Sequence, residues 1–97
     1  MSTARVELTR RALRDLRRLD RPDRRRIAGA LEELASGAGN LDVKPLVGRP
    51  PYLRLRVGEW RVLYRLADAE EAASGGPRWY VLRIINRRDL ERAARSL

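Results

Sequence analysis

Residues 52–66 constrain the fold most, because apolar and polar side chains alternate through them with a period of two. Gly58 and Glu59 interrupt the alternation where a turn would bring the two halves side by side. The stretch therefore predicts a β-hairpin with one apolar face. The opposite face carries four arginines and one leucine: Arg54, Arg56, Arg61, Leu63 and Arg65. Such a face suits a polyanion, because each planar guanidinium can hold a phosphate through two hydrogen bonds.

Length and charge limit the kind of protein further. With 97 residues, the chain is expected to form one domain over residues 1–97, because chains of this length rarely support two hydrophobic cores. The formal net charge is +9, and Lys44 is the single lysine among 22 basic residues. This charge indicates an acidic partner, either a nucleic acid or an acidic protein, but a solvated basic surface would explain it equally well.

The absence of histidine and cysteine excludes several kinds of chemistry. A thiol nucleophile, a disulfide framework, histidine acid–base catalysis and a zinc site of the ordinary type are all ruled out, and no metal or cofactor is expected. No uncharged run approaches the ~20 residues that span a bilayer, and the N-terminus lacks the apolar segment of a signal peptide. A cytoplasmic location without membrane contact is therefore expected.

Helical periodicity predicts two helices before the hairpin. A short strand at 5–8 precedes the first helix, for which Thr9 is the expected N-cap. The second helix begins near Pro22 and ends at Gly37, and the short link between the two predicts an antiparallel helical hairpin. The apolar stripe of the first helix is Ala12, Leu13, Leu16 and Leu19. That of the second is Ile27, Ala30, Leu31, Leu34 and Ala35.

The rest of the chain supplies the remaining strand and a final helix. Residues 36–51 are predicted to be a long connection fixed to the core by residues 41–46, and residues 68–78 to be a mobile acidic loop. Residues 79–85 are apolar on both faces, with Trp79, Val81 and Ile85 on one side, as in a strand covered on both sides. A short helix follows from Asp89. The order β-α-α-β-β-β-α predicts an α+β fold, in which a three-stranded antiparallel meander completes one sheet with the N-terminal strand.

The arginines at the two ends of this meander are expected to converge. Arg54, Arg56, Arg61 and either Arg87 or Arg88 can share one sheet face, where mutual repulsion would be relieved by a bound anion. Tyr52 and Trp60 lie at the edges of that face, where an aromatic ring can stack on a base. The alternative interpretation is the solvated face of an antiparallel sheet. The arginines of the helices are interpreted as solvated, with Asp15 and the Glu32–Glu33 region as their partners.

Three segments, 41–48, 54–64 and 85–90, resemble the RelE/ParE superfamily of bacterial toxins. The resemblance implies a type II toxin–antitoxin system with a tightly bound acidic antitoxin, through which alone operator DNA would be contacted. In the RelE branch it implies ribosome-dependent cleavage of mRNA in the decoding site, and in the ParE branch poisoning of DNA gyrase. Arg54-x-Arg56 favours the RelE branch, because it supplies a phosphate clamp.

The resemblance also implies roles for particular residues. The catalytic positions match Arg54, Arg56, Arg61 and Arg87. Further contacts to the substrate are expected from Arg65, Arg88, Tyr52, Trp60 and Lys44. Asn86 stands where relatives often carry histidine, and Glu91 where they often carry tyrosine.

Metal-free RNA cleavage needs a base for the 2′-hydroxyl, an acid for the leaving 5′-oxygen and positive charge around the phosphorane. Arginine supplies the charge, but its pKa above ~12 keeps it protonated. The candidate bases are Glu59, Glu91 or a tyrosine. The hypothesis is therefore a metal-independent, ribosome-dependent mRNA endoribonuclease. The alternatives are a ParE-type gyrase poison without nuclease activity, or a catalytically weak, antitoxin-bound nucleic-acid-binding protein.

Overall fold

The computed structural model describes residues 6–37 and 40–97, which form a five-stranded sheet with helices on both faces. The strands are β1 (Val6–Leu8), β2 (Asp42–Pro45), β3 (Leu53–Val57), β4 (Trp60–Leu66) and β5 (Trp79–Asn86). The helices are α1 (Arg10–Arg17), α2 (Arg21–Ser36), α3 (Ala69–Ala73) and α4 (Leu90–Arg95). The strand order is β1-β5-β4-β3-β2, with β1 parallel to β5 and the other pairs antiparallel. The predicted α+β fold is confirmed.

Local signals in the sequence explain where the helices begin and end. The Thr9 hydroxyl accepts a hydrogen bond from the backbone N–H of Ala12 at 3.2 Å, which satisfies one of the free donors of the first turn of α1. Gly37 ends α2 in the left-handed conformation, at φ 74°, which glycine adopts without steric cost. The predicted strand included Arg5, which lies outside the described residues.

The sheet divides the apolar side chains into two clusters. One cluster lies between the sheet and α1 and α2, and Leu55, Val62, Tyr64, Val81 and Ile84 form its sheet side. The other lies between the opposite face of the sheet and α4, and contains Leu46, Leu63, Ile85 and Ala93. Burial on both faces makes β5 an interior strand, as the sequence predicted.

The predicted faces of β5 are wrong in one respect. A register shift opposite Leu63 and Tyr64 pairs Leu63 with Arg83 but Tyr64 with Val81, so that Leu82 is an extra residue. A bulge of this kind reverses the alternation. Val81 and Ile84 consequently face the same cluster, while Ile85 faces α4.

Two segments predicted to lack regular structure contain short elements. Residues 42–45 form the edge strand β2 inside the predicted connection, while Leu41 and Leu46 pack on the core as expected. The predicted loop after β4 begins with α3. Asp68 and Glu71 form a reciprocal capping box at its start, with both hydrogen bonds at 2.8 Å.

Among the residues that the structure describes, Asp15 is the only charged residue that is buried, with 7% of its surface exposed. It pairs with Arg83 of β5, whose Nε donates to Oδ2 at 2.8 Å, and it also accepts the backbone N–H of Ile84 at 2.9 Å. The prediction that Asp15 pairs with helical arginines is wrong. Its helical position between Ala12 and Leu19 faces the sheet, whereas Leu13, assigned to the apolar stripe, is 37% exposed.

Candidate functional site

Strand pairing places the basic residues of β2, β3 and β4 on one face. Arg56 lies opposite Arg61 across the β3–β4 hairpin, and Lys44 of β2 lies opposite Arg54. Directly paired residues lie on the same side of a sheet, about 5 Å apart. We call Arg54, Arg56, Arg61 and Arg87 the arginine cluster.

Arg87 reaches this face from the turn that follows β5. Its backbone N–H donates to the Glu59 carbonyl at 2.8 Å, which joins the turn to the tip of the hairpin. The Asn86 side chain accepts from the backbone N–H of Arg88 at 3.1 Å and caps the short 3-10 turn Arg87–Asp89. The register Trp60–Asn86 and Arg61–Ile85 therefore brings Arg87 to the end of β4 at which Arg61 lies.

Arg61 is the most constrained member of the cluster. Its Nη1 donates to the carbonyls of Gly58 and Trp60, at 2.9 and 3.0 Å, which holds the guanidinium against the turn. Burial lowers the pKa of Arg61 from its ordinary value, and the nearby charges of Arg56, Arg54 and Arg87 lower it further. The guanidiniums of the arginine cluster therefore lie close enough to repel one another, and a bound anion would relieve that repulsion.

Two carboxylates lie among these cations. Asp42 is 3.8 Å from a guanidinium nitrogen of Arg54 and 3.9 Å from one of Arg56, while a carboxylate oxygen of Glu59 lies 2.9 Å from Nε of Arg87. Four arginines face these two carboxylates, so the site keeps an excess of positive charge. All three ion pairs are loose or exposed, and such pairs contribute little free energy. An incoming anion can therefore displace them.

Other predicted contacts lie apart from the cluster. Arg65 donates to both carboxylate oxygens of Glu71, at 2.9 and 3.0 Å, and stacks on Tyr80 at 4.6 Å from the ring centroid. Tyr52 packs beneath α4 with the second apolar cluster. Trp60 packs against the first cluster, on the face opposite Arg61.

Sequence reasoning missed Asp42, which the structure places between two of the clustered arginines. The polar–apolar alternation of residues 42–45 was the available signal, because it would have extended the sheet by one strand and set Asp42 and Lys44 beside the hairpin. Glu59, one of the candidate bases, forms an ion pair with Arg87.

The tyrosines of β4 and β5 are weak proton donors. Burial raises the pKa of Tyr64 above its usual value, and burial also raises that of Tyr80, with a further contribution from Glu71. Within residues 6–37 and 40–97, no group of three or more potential ligand side chains is placed to hold a metal ion. None of the helices described in that part of the chain combines the length and apolarity needed to cross a membrane.

A match to a known family, together with the fold, defines the class of protein: a small toxin of the RelE/ParE superfamily. Residues 6–91 match the family described as the ParE toxin of the type II toxin–antitoxin system, parDE, and the chain belongs to that family. It is accordingly a toxin of a type II toxin–antitoxin system.

Two solved structures share its fold. One is a RelB–RelE antitoxin–toxin complex from Methanococcus jannaschii, with 20% identity and a TM-score of 0.67 over 89% of this chain and 95% of that one. The other is a RelE–RelB complex from Pyrococcus horikoshii OT3, with 23% identity and a TM-score of 0.59 over 88% and 96%. Comparison with the curated proteins gives no match.

Proposed function

We propose that this toxin is a metal-independent endoribonuclease that cleaves mRNA in the ribosomal decoding site and is neutralised by an acidic antitoxin. The observation that carries the proposal is the convergence of Arg54, Arg56, Arg61 and Arg87. Burial lowers the pKa of Arg61, and the charges of the other three arginines lower it further. A phosphodiester supplies the charge that this cluster lacks. We place the toxin in the cytoplasm, where mRNA and ribosomes are found.

The proposed reaction is attack of the ribose 2′-hydroxyl on the adjacent phosphorus, which releases the 5′-oxygen of the next nucleotide and leaves a 2′,3′-cyclic phosphate. Arg61 is the strongest candidate to hold a nonbridging oxygen, because its two backbone hydrogen bonds fix its orientation before the substrate binds. Arg54 and Arg56 would hold the flanking charge. The ribosome would order the mRNA, so that much of the rate enhancement comes from positioning.

Glu59 is the carboxylate best placed to accept the 2′-hydroxyl proton. It lies in the hairpin turn, next to Gly58, and its side chain is 65% exposed, which leaves room for an RNA strand. Its present partner is Arg87. Transfer of that guanidinium to the substrate phosphate would free the carboxylate at the same step.

A ParE-type poison of DNA gyrase is the second candidate. The family matched over residues 6–91 is the ParE toxin, and this favours the alternative. For that activity the Arg54/Arg56 pair is expected to be dispensable, because no phosphodiester is cleaved by the toxin.

A ribosome-programmed cleavage assay tests the first proposal. We expect the parent protein to cut the mRNA, and Arg61→Ala or Arg87→Ala to slow cleavage roughly 10- to 100-fold, the value of a charge-assisted hydrogen bond. Arg14→Ala is the matched control, because Arg14 is exposed on α1 and carries the same charge.

Intact mRNA with the parent protein would exclude nuclease activity. A supercoiling assay with purified gyrase then separates the second candidate from an inactive, antitoxin-bound protein. Inhibition that survives Arg54→Ala and Arg56→Ala would support the ParE-type activity.

A further inference from the structure

A second group of basic residues lines a cleft that contains no member of the arginine cluster. A cleft of about 550 Å³ runs between α1, the end of β5 and one side of α4. Arg11 and Arg18 line one wall and Arg88 lines the other. Arg11 lies in α1 and Arg18 is its C-cap. They are seven residues apart and therefore lie on the same side of the helix, about two turns apart.

The acids of the cleft do not neutralise these three arginines. Asp15 is held by Arg83 at 2.8 Å, and Asp89 is held by Arg92 at 3.0 Å. Among the residues that the structure describes, none forms an ion pair with the guanidinium of Arg11, Arg18 or Arg88. The cleft therefore carries three uncompensated positive charges.

The floor of the cleft adds an aromatic ring and free backbone groups. Trp60 lines the cleft and is half-buried. β1 pairs with β5 only as far as Val81, so the edge of β5 is open beyond it. Ile84 directs its N–H to Asp15 at that edge, and in a strand the Ile84 carbonyl and the Asn86 N–H point the same way. A donor and an acceptor are thus available to a base edge.

We propose that this cleft binds a nucleotide of single-stranded RNA, with its phosphate on Arg18 and Arg88 and its base against Trp60. An aromatic ring beside guanidiniums is the combination that recognises unpaired bases. The proposal deepens the proposed function and rests on it for the identity of the ligand: Arg87 belongs to the arginine cluster and Arg88 to the cleft, so one RNA strand can pass from one to the other.

Fluorine NMR of the full chain labelled with 5-fluorotryptophan tests the proposal, because the chain has two tryptophans. Trp60 lies in the cleft, whereas Trp79 lies at the other end of β5, about 23 Å away at 3.3 Å per residue. Assignment uses Trp60→Phe. On titration with a uridine trinucleotide, we expect the Trp60 signal to shift and the Trp79 signal to stay in place.

Arg18→Gln and Arg88→Gln are each expected to weaken the trinucleotide roughly tenfold, and to reduce the slope of log Kd against log salt by about 0.7 per lost phosphate contact. Arg17→Gln is the matched control. Arg17 is exposed, adjacent in sequence and outside the cleft, so its loss should change the Kd less than about twofold.

Three results would contradict RNA binding in the cleft: a Trp60 signal that stays in place, equal movement of both tryptophan signals, or an Arg17→Gln variant that weakens trinucleotide binding as much as Arg18→Gln does. A pentaglutamate peptide that shifts Trp60 when RNA does not would assign the cleft to an acidic protein segment instead. Cleavage of mRNA without a Trp60 shift would support the nuclease activity and contradict RNA binding in the cleft. A Trp60 shift that depends on Arg18 and Arg88, in a protein that does not cleave mRNA, would support RNA binding in the cleft and contradict the nuclease activity.

Discussion

Replacement of Asp15 by alanine should remove a large part of the stability of this fold. The carboxylate accepts hydrogen bonds from Arg83 Nε, Arg83 Nη2 and the Ile84 N–H, at 2.8, 3.4 and 2.9 Å. The side chains of Asp15 and Arg83 are 8% and 16% exposed. Alanine would leave the Arg83 guanidinium and the Ile84 N–H buried without a partner. No other described carboxylate lies within ion-pair distance of Arg83.

Removal of one partner from a buried pair costs about 3–5 kcal/mol. Whole domains are stable by about 5–15 kcal/mol, so Asp15→Ala brings a domain of this size close to the limit of folding. At about 4–8 °C per kcal/mol, the midpoint of thermal unfolding should fall by roughly 12 °C or more. Urea unfolding followed by circular dichroism gives the free energy directly.

Two further variants distinguish the ion pair from a general effect of the substitution. Glu32→Ala, at an exposed position in the middle of α2, should change the free energy of unfolding by less than about 0.5 kcal/mol. The double variant Asp15→Leu, Arg83→Met removes both charges and should recover much of the loss. A loss below about 1 kcal/mol for Asp15→Ala, or a double variant no more stable than the single one, would refute this reasoning.

Three other variants test the hairpin and the α3 region. Glu59→Gln should tighten RNA binding by about 1.5- to 5-fold in a filter-binding assay, because it frees Arg87 from an exposed pair worth about 0.2–1 kcal/mol; unchanged or weaker binding would show that the pair does not compete with RNA. Arg65 lowers the pKa of Glu71 from 4.5 to about 2, so its carboxylate contributes stability above pH 4.5 that is lost as the pH falls towards 2. The stability gap between parent and Glu71→Gln in urea titrations should therefore close over that window, and a gap independent of pH would contradict this assignment. Gly58→Ala should lower stability by about 1 kcal/mol, since Gly58 has φ 59°; no loss in urea unfolding would show that the turn relaxes.

Most of the fold can be predicted from patterns among neighbouring residues, because contacts with distant parts of the chain do not change the structures that these patterns favour. The alternation in residues 52–66 predicts correctly which side chains of β3 and β4 pack on the two apolar clusters, because each side of the hairpin meets a different environment. Trp60 is the exception, since it was placed at the edge of the arginine face but packs against the first cluster. Thr9 and Gly37 mark helix ends for reasons that involve only their own neighbours.

The parts that sequence reasoning missed depend on distant partners. The partner of Asp15 is 68 residues away, and no periodicity within α1 distinguishes an acid that faces water from one that faces β5. The extra residue Leu82 reverses the faces of β5 without any glycine or proline to signal a bulge. The convergence of Arg87 with the hairpin was foreseen from the order of the strands, but the position of Asp42 required a fifth strand.

The parallel pairing of β1 with β5 determines how late in synthesis the sheet, and with it the arginine cluster, can be completed. Thr9 bonds to Leu82 across 73 residues, and β5 lies between β1 and β4, so the sheet stays divided until nearly all of the chain has left the ribosome. Closure of so long a loop is entropically costly and slow. Arg87 also follows β5, so a nascent chain that already displays Arg54, Arg56 and Arg61 has no complete arginine cluster. The order of the strands thereby delays completion of the arginine cluster until β5 and Arg87 have been synthesised.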